Sequence, residues 1–159
     1  MLPFVHGLFN LFLHVVASYG LIGLFISSLL VSTIFIPFSV ELLLPPLLVA
    51  GVNPYYVLAV SVLGSTVGVW INYLVGYFGI HVAHKYVKEE DIHKAKKVMD
   101  KYGWLGVFFA LGFPLPIPTD PLTVLCGMSE MNPIEFTFAV LLGKLLKYSI
   151  AIRVIILLI

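Results

Sequence analysis

Four ionisable side chains lie in stretches of sequence that are otherwise almost wholly apolar: Glu41, Asp120, Lys144 and Lys147. Glu41 is the only charged residue in 19–50. An ionisable group at membrane depth is costly unless it is paired, neutralised or hydrated, so each is by default a candidate for function. The carboxylates could take up and release protons or a coupling ion, and the lysines could attract an anionic head group. Alternatively, the four charges only neutralise one another and hold the structure in place.

The composition is that of a membrane protein. The chain has 159 residues, of which 60% are hydrophobic and 11% charged, whereas soluble domains carry about 25% charged residues. The mean hydropathy is +1.07. The length suits one domain, so we expect residues 1–159 to form a single multi-pass domain of the cell membrane, with an all-α fold. The net charge of +1 implies no general attraction to nucleic acid.

The N-terminal residues 1–18 carry a polar residue every four positions: His6, Asn10, His14 and Ser18. On a helix this spacing puts all four on one face, and the other faces are apolar. The pattern predicts a helix that lies in the membrane interface. A poorly formed transmembrane span is the alternative.

Residues 19–81 are predicted to form a first repeat, an interrupted segment followed by a transmembrane helix. A straight helix over 19–50 would be about 48 Å long, whereas the hydrocarbon core is about 30 Å thick. Because prolines interrupt the helical hydrogen-bond ladder, we expect the chain to enter the membrane, break near Pro37 and turn back. The following uncharged helix carries one amide, Asn72, a candidate substrate-binding residue. The breaks of this repeat are assigned to Pro37, Pro45 and Pro46.

Residues 82–101 are the only hydrophilic stretch and hold six of the nine Lys and Arg residues. We expect a short solvated helix there, and the positive-inside rule places it in the cytoplasm. Residues 102–159 then form a second repeat, in which Asp120 lies among four prolines and Lys144 and Lys147 share one face of the last helix. The breaks of this repeat are assigned to Pro114, Pro116, Pro118 and Pro121.

The two halves of the chain match each other. YGLIGLF at 19–25 corresponds to YGWLGVF at 102–108, and each is followed by a proline-interrupted run, an Asn-Pro turn and a long helix. If each interrupted run is a hairpin that returns to its own side, each half crosses the membrane an odd number of times. The second half is then inverted relative to the first, with the hairpin tips and their acids meeting near the midplane, as in many secondary transporters. Alternatively, the hairpins only pack the core of a small bundle.

These features resemble the DedA superfamily, also called the VTT or SNARE-associated Golgi protein family, and its short YqaA-like branch most closely. The residues that carry the resemblance are Pro37 through Glu41, Gly68 with Tyr73 and Gly76, the proline-rich run ending at Gly127, and Gly143-Lys144. The resemblance implies two re-entrant hairpins that face each other. It also implies movement of lipids across the bilayer, either flipping of polyprenyl-phosphate carriers or phospholipid scrambling. Arginines typical of the second hairpin are absent from 102–127, and the lysines of the last helix could supply that positive charge.

The sequence therefore predicts a membrane transporter for a lipid with an anionic head group, in which Lys144, Lys147 and Asn72 bind substrate. Glu41 and Asp120 are predicted to bind protons or a coupling ion. A structural or assembly factor and a small-ion or proton pathway are the alternatives. No H-E-x-x-H or G-x-S-x-G motif occurs, so we expect no enzyme, no cofactor and no metal site. The expected partners are membrane lipids, and the sequence is also compatible with a homo-oligomer.

Overall fold

The regular structure is helical wherever the computed structural model describes the chain, which confirms the expected all-α fold. The described backbone covers residues 2–33, 39–83, 89–113 and 120–158, and side chains are described over 5–33, 39–79, 101–113 and 122–158. The helices are α1 (Leu2–Val31), a 3₁₀ helix (Val40–Leu43), α2 (Pro45–Val49), α3 (Pro54–Ala83), α4 (Glu89–Gly112), α5 (Asp120–Met128) and α6 (Pro133–Leu158).

The prolines bound these helices in two ways. α4 ends at Gly112 and α5 begins at Asp120, on either side of the predicted break. Pro114, Pro116 and Pro118 lie outside the described residues, as does Pro37, and Pro121 is the second residue of α5. Pro45 and Pro46 begin α2 directly after the 3₁₀ helix. The first turn of a helix does not need the N–H groups that proline lacks, so Pro45 and Pro46 fit at the start of α2. They mark the change from the 3₁₀ helix to an α-helix.

Two glycines bend the long helices at equivalent places. Gly20 in α1 has φ 58° and ψ −129°, and Gly103 in α4 has φ 50° and ψ −150°. Residues with a Cβ avoid this conformation. Each glycine follows the tyrosine of the repeated heptapeptide, so α1 consists of segments 2–19 and 21–31, close to the boundary predicted at residue 18.

Two described helices, Val5–Val31 and Pro54–Gly79, are long and apolar enough to cross a membrane. The first is not straight. A Cβ atom built on Gly23 would collide with the carbonyl oxygen of Val15, although residues eight apart in a straight helix are separated by about 12 Å. Residues 21–31 therefore fold back sharply against the end of segment 2–19.

Segment 2–19 presents its polar stripe outward. His6, Asn10, His14 and Ser18 are all exposed. The stripe is linked within itself, by contacts of 3.1 Å between Asn10 Nδ2 and His6 Nδ1 and 3.4 Å between Ser18 Oγ and His14 Nδ1. Phe12 lies on the opposite face, buried in the core. This amphipathic helix has the form expected at a membrane interface, and its place there stays a prediction.

The second segment of α1 runs parallel to α3. A Cβ atom on Gly64 would lie 2.6 Å from the carbonyl oxygen of Phe25, and one on Gly68 would collide with the carbonyl oxygen of Leu29. From the first contact to the second, the position advances by four residues in each helix, so the two helices run in the same direction. Small residues permit such close helix approach.

The second half repeats this arrangement. The Cβ position of Gly143 in α6 is 3.1 Å from the carbonyl oxygen of Phe108, and that of Gly112 is 3.5 Å from Cδ2 of Leu146. The end of α4 therefore runs parallel to α6. Phe25 and Phe108 are the last residues of the two matching heptapeptides, so the contact between the interrupted segment and the long helix is the same in both halves.

The long helices α3 and α6 are antiparallel. Phe136, near the start of α6, packs on Trp70 and Tyr73 in α3, with ring centroids 5.9 and 4.7 Å apart. Val57, near the start of α3, belongs to one core cluster with Ile152, near the end of α6. The start of α6 therefore lies beside the second half of α3, and the two helices run in opposite directions.

The same C-terminal cap ends α2 and α5. In each case the chain leaves the helix through a residue with positive φ, Gly51 (φ 80°) after α2 and Glu130 (φ 54°) after α5. The paired backbone hydrogen bonds are those of a Schellman motif. They run from Val52 to Leu47, Gly51 to Leu48, Met131 to Cys126 and Glu130 to Gly127. Glu130 therefore occupies the position of Gly51, and Gly127 lies inside α5.

We expect Glu130→Gly and Gly51→Ala to change stability in opposite directions. The left-handed conformation costs a residue with a Cβ about 1–2 kcal/mol, and glycine loses about 0.5–1 kcal/mol in backbone entropy. Glu130→Gly should leave the free energy of unfolding unchanged or raise it by up to about 1 kcal/mol. Gly51→Ala should lower the free energy of unfolding by up to about 1 kcal/mol, for the same two reasons acting in reverse. Thermal unfolding in detergent measures both, and destabilisation by Glu130→Gly would contradict the assigned cap.

Candidate functional site

An ion pair joins the 3₁₀ helix to α6. Lys147 Nζ lies 2.9 Å from Glu41 Oε1, and each side chain is 18% exposed. Both carboxylate oxygens are shielded from solvent, and neither accepts a well-aligned hydrogen bond from the described residues. The contact is therefore chiefly electrostatic, and such a half-buried pair is screened less than one at the surface.

Lys144 lies one turn before Lys147 and is buried more deeply, with 7% of its surface exposed. Its Nζ donates to Ser32 Oγ at 3.2 Å and to the Tyr148 hydroxyl at 3.5 Å. The same ammonium lies 5.8 Å from the centroid of the Tyr148 ring, within the range of a cation–π contact. The described surroundings of Lys144 thus include two hydroxyls and an aromatic face.

Asn72 connects the two interrupted regions. Its side chain is fully buried in α3. Its Nδ2 donates to the backbone carbonyl oxygen of Ser32 at 3.1 Å and to Thr123 Oγ1 at 3.2 Å. Ser32 directly follows α1, and Thr123 lies in the first turn of α5. One amide therefore fixes the end of one interrupted segment against the start of the other.

Close contact between α3 and α5 makes this connection possible. A Cβ atom on Gly76 would collide with the carbonyl oxygen of Val124, and one on Gly127 would collide with that of Tyr73. The Tyr73 hydroxyl also donates to the carbonyl oxygen of Met131 at 2.6 Å. Two glycines facing opposite backbones let the helices cross without intervening side chains.

The structure brings together four of the five predicted binding residues. Lys144 and Asn72 both bond to Ser32, and Lys147, one turn after Lys144, pairs with Glu41. Asp120 begins α5, and its side chain lies outside the described residues. The predicted proximity of Glu41 and Asp120 therefore stays a prediction.

Ser32, Thr123 and Tyr148 were not singled out in the sequence. Serine and threonine are common in apolar helices, where they bond to their own backbone, so neither Ser32 nor Thr123 carried a signal. Tyr148 did carry one, because a residue four positions after Lys144 lies on the same helix face.

The arrangement presents hydrogen-bond donors and positive charge in a buried place. Lysine ammonium groups and hydroxyls together suit a phosphate oxyanion. In the part of the chain whose side chains are described, no group of three His, Cys, Asp or Glu residues is placed to hold a metal ion. Among the described residues, the Glu41 carboxylate is the anionic partner of Lys147.

Comparison with known proteins places the site within one sequence family. The sequence model of the VTT domain matches residues 36–156, a range that contains all five predicted binding residues. The chain is also 30% identical over 141 residues to the uncharacterized protein MJ0201 of Methanocaldococcus jannaschii. The matched region covers 88% of this chain and 86% of that protein. No solved structure matches the chain.

Proposed function

Because the chain belongs to the VTT domain family, also known as the DedA family, we propose that it is a multi-pass transporter that moves a lipid with an anionic head group across the cell membrane. Transport is the general expectation for this membrane-protein family. The lipid is a polyprenyl phosphate or a phospholipid. The observation that carries this proposal is the half-buried Glu41–Lys147 pair beside the buried Lys144.

The proposed architecture is an inverted repeat of two re-entrant hairpins. The parallel course of residues 21–31 and α3, and the matching course of α4 and α6, support a return of the chain within each half. The antiparallel course of α3 and α6 supports inversion of the second half. Transporters built in this way bind substrate near the midplane, where the interrupted segments meet.

In the proposed mechanism, the head group and Glu41 compete for Lys147. The 2.9 Å contact is the self-paired arrangement, in which the carboxylate neutralises the lysine. Protonation of Glu41 removes that neutralising charge, so that a phosphate can replace it. Movement of protons is thereby coupled to movement of the head group, and Asp120 is the proposed second protonation site.

Flux in liposomes that contain only this protein tests the proposal. Lipids labelled on an acyl chain with a nitrobenzoxadiazole dye are bleached by dithionite only when they reach the outer leaflet. We expect labelled phosphatidic acid or phosphatidylglycerol to become accessible faster than in protein-free liposomes. A labelled glucosylceramide, which has a neutral head group, is the matched control and should not. Equal rates with and without protein for every phosphate-bearing lipid would reject the proposal.

The same architecture predicts the topology. Residues 82–101 should lie in the cytoplasm, because lysine-rich loops stay on that side of the membrane. Each half of the chain is proposed to cross the membrane an odd number of times, so both termini should lie on the opposite side or its interface. Single-cysteine labelling of intact cells checks this with His93→Cys in a Cys126→Ser background. Position 93 should react with an impermeant maleimide only after the cells are opened. Labelling from outside would overturn the orientation.

A further inference from the structure

The outward face of helix segment 2–19 is separate from the site around Lys147. The segment lies outside residues 36–156, which match the VTT domain, and it carries the exposed polar stripe of His6, Asn10, His14 and Ser18. We propose that this stripe binds the phosphate groups of anionic lipids at the membrane surface when its two histidines are protonated. This binding does not depend on the proposed transport function.

The hydrogen bonds of the stripe leave one nitrogen of each imidazole ring for a partner outside the chain. Asn10 Nδ2 lies 3.1 Å from His6 Nδ1, and Ser18 Oγ lies 3.4 Å from His14 Nδ1. Neither Nε2 atom bonds to a described residue. An amide can turn and a hydroxyl can rotate, so that each accepts a hydrogen bond instead of donating one. Both contacts can therefore persist when the rings gain a second proton.

The charge of the stripe is set by its two histidines. No Asp, Glu, Lys or Arg occurs before Glu41, and histidine changes its charge between about pH 5 and 8. The stripe is therefore uncharged in a mildly alkaline medium. In a mildly acidic medium it carries two positive charges, with no acidic residue in the same segment to neutralise them.

The neighbouring elements supply no partner for the rings. The apolar face of the segment packs, through Phe12 and Val16, in one core cluster with residues of the 3₁₀ helix, α2, α3 and α6. None of the described ionisable side chains on these elements forms a hydrogen bond or ion pair with either imidazole, whose contacts stay within the stripe. Those side chains are Glu41, Glu135, Lys144, Lys147, Arg153, Tyr55, Tyr56, Tyr73, Tyr77 and Tyr148.

The geometry of the stripe suits a lipid surface. His6 and His14 are eight residues apart, which is about 12 Å along a helix, so they would reach two head groups and not one ion. Leu11 beside the stripe is 57% exposed and Tyr19 at its end is 69% exposed. Apolar and tyrosine side chains next to a polar face are typical of helices at the boundary between head groups and acyl chains. Anionic phosphates there attract positive charge.

Solid-state NMR of the full chain in liposomes tests this binding. With ¹⁵N in the histidine rings, dephasing of the ¹⁵N signals by ³¹P reports imidazole nitrogens that lie close to lipid phosphate. In liposomes that contain phosphatidylglycerol, we expect dephased signals from His6 and His14 at about pH 5.5. Two added charges near an anionic surface should strengthen the contact about tenfold or more. The dephasing should therefore be lost at about pH 8.

The variant with both His6→Gln and His14→Gln should lack these dephased signals. His93→Gln is the matched control, because it makes the same substitution in the hydrophilic stretch 82–101, and it should keep them. Liposomes of phosphatidylcholine alone should give much weaker dephasing, because the choline group neutralises the phosphate. Both substituted side chains of the stripe are exposed, so the double variant should keep the Tm of the unmodified protein.

Dephasing of the His6 and His14 signals that is equal at both pH values, or equal in the two kinds of liposome, would overturn lipid binding by the protonated stripe. So would signals of these two histidines that show no dephasing under any condition. That last result is expected if segment 2–19 crosses the membrane, or if a second copy of the chain covers the stripe. Lipid flux is measured separately, and none of these outcomes decides it.

Discussion

Replacing Lys144 and Lys147 together by glutamine is expected to abolish movement of anionic head groups while the protein still folds. Each lysine offers a charged hydrogen bond to phosphate, worth about 1.5–3 kcal/mol, so loss of both should reduce flux at least about a hundredfold. Glutamine approximates the length of the lysine side chain, so lost packing is minor, and the loss of stability should come mainly from Glu41, which loses its partner Lys147. Dithionite-monitored flux in liposomes and thermal unfolding of the same preparation measure the two properties.

Arg153→Gln is the matched control for the lysine variant. Arg153 lies on α6 but is exposed, so its charge should not take part in the site, and flux should remain normal. If the lysine variant transports as well as the Arg153 variant does, the lysines have no role in transport. If flux falls only because the lysine variant unfolds, a purely structural role for the charges is favoured.

Gly127→Ala is expected to cause the largest loss of stability from a single methyl group. The added Cβ would meet the backbone of α3, at 2.8 Å from the Tyr73 carbonyl carbon and 2.9 Å from the Tyr77 nitrogen. Backbone atoms cannot turn aside as a side chain can, and overpacking of this kind costs about 1–3 kcal/mol or more. Thermal unfolding in detergent should show a clear fall in Tm.

Gly79→Ala is the control for that experiment. Gly79 lies in α3, and no atom of the described residues lies within 4 Å of its Cβ position. The substitution should leave stability unchanged or raise it by up to about 1 kcal/mol, because alanine favours helix over glycine. Equal Tm values for Gly127→Ala and Gly79→Ala would show that the α3–α5 crossing is looser than the structure indicates.

Much of the helical layout followed from local sequence. α3 and α6 each begin at the proline of an Asn-Pro turn, and they end within two residues of the predicted repeat ends at 81 and 159. The asparagine side chain caps each start: Asn53 Oδ1 and Asn132 Oδ1 both accept a backbone N–H at 2.9 Å. These features depend on a few neighbouring residues, so one sequence suffices to find them.

The contacts within the site could not be found in the same way. The hydrogen bonds of Asn72 reach residues 40 and 51 positions away, and that of Lys144 to Ser32 spans 112 positions. No local pattern encodes such distances. The cap of α5 was not evident from the sequence either, because Glu130, and not a glycine, takes the position that Gly51 holds after α2. The glycine at 127 instead serves the contact with α3.

The most direct test of the proposed transport mechanism is head-group flux by the variant that carries both Glu41→Gln and Lys147→Gln. Removing both partners of an ion pair avoids a stranded buried charge, whereas removing one partner of a buried pair costs about 3–5 kcal/mol. The double variant should therefore keep the Tm of the unmodified protein. We predict that it no longer moves phosphate-bearing lipids, because the charge that receives the head group is gone. Normal flux in this stable variant would contradict the proposed transport mechanism.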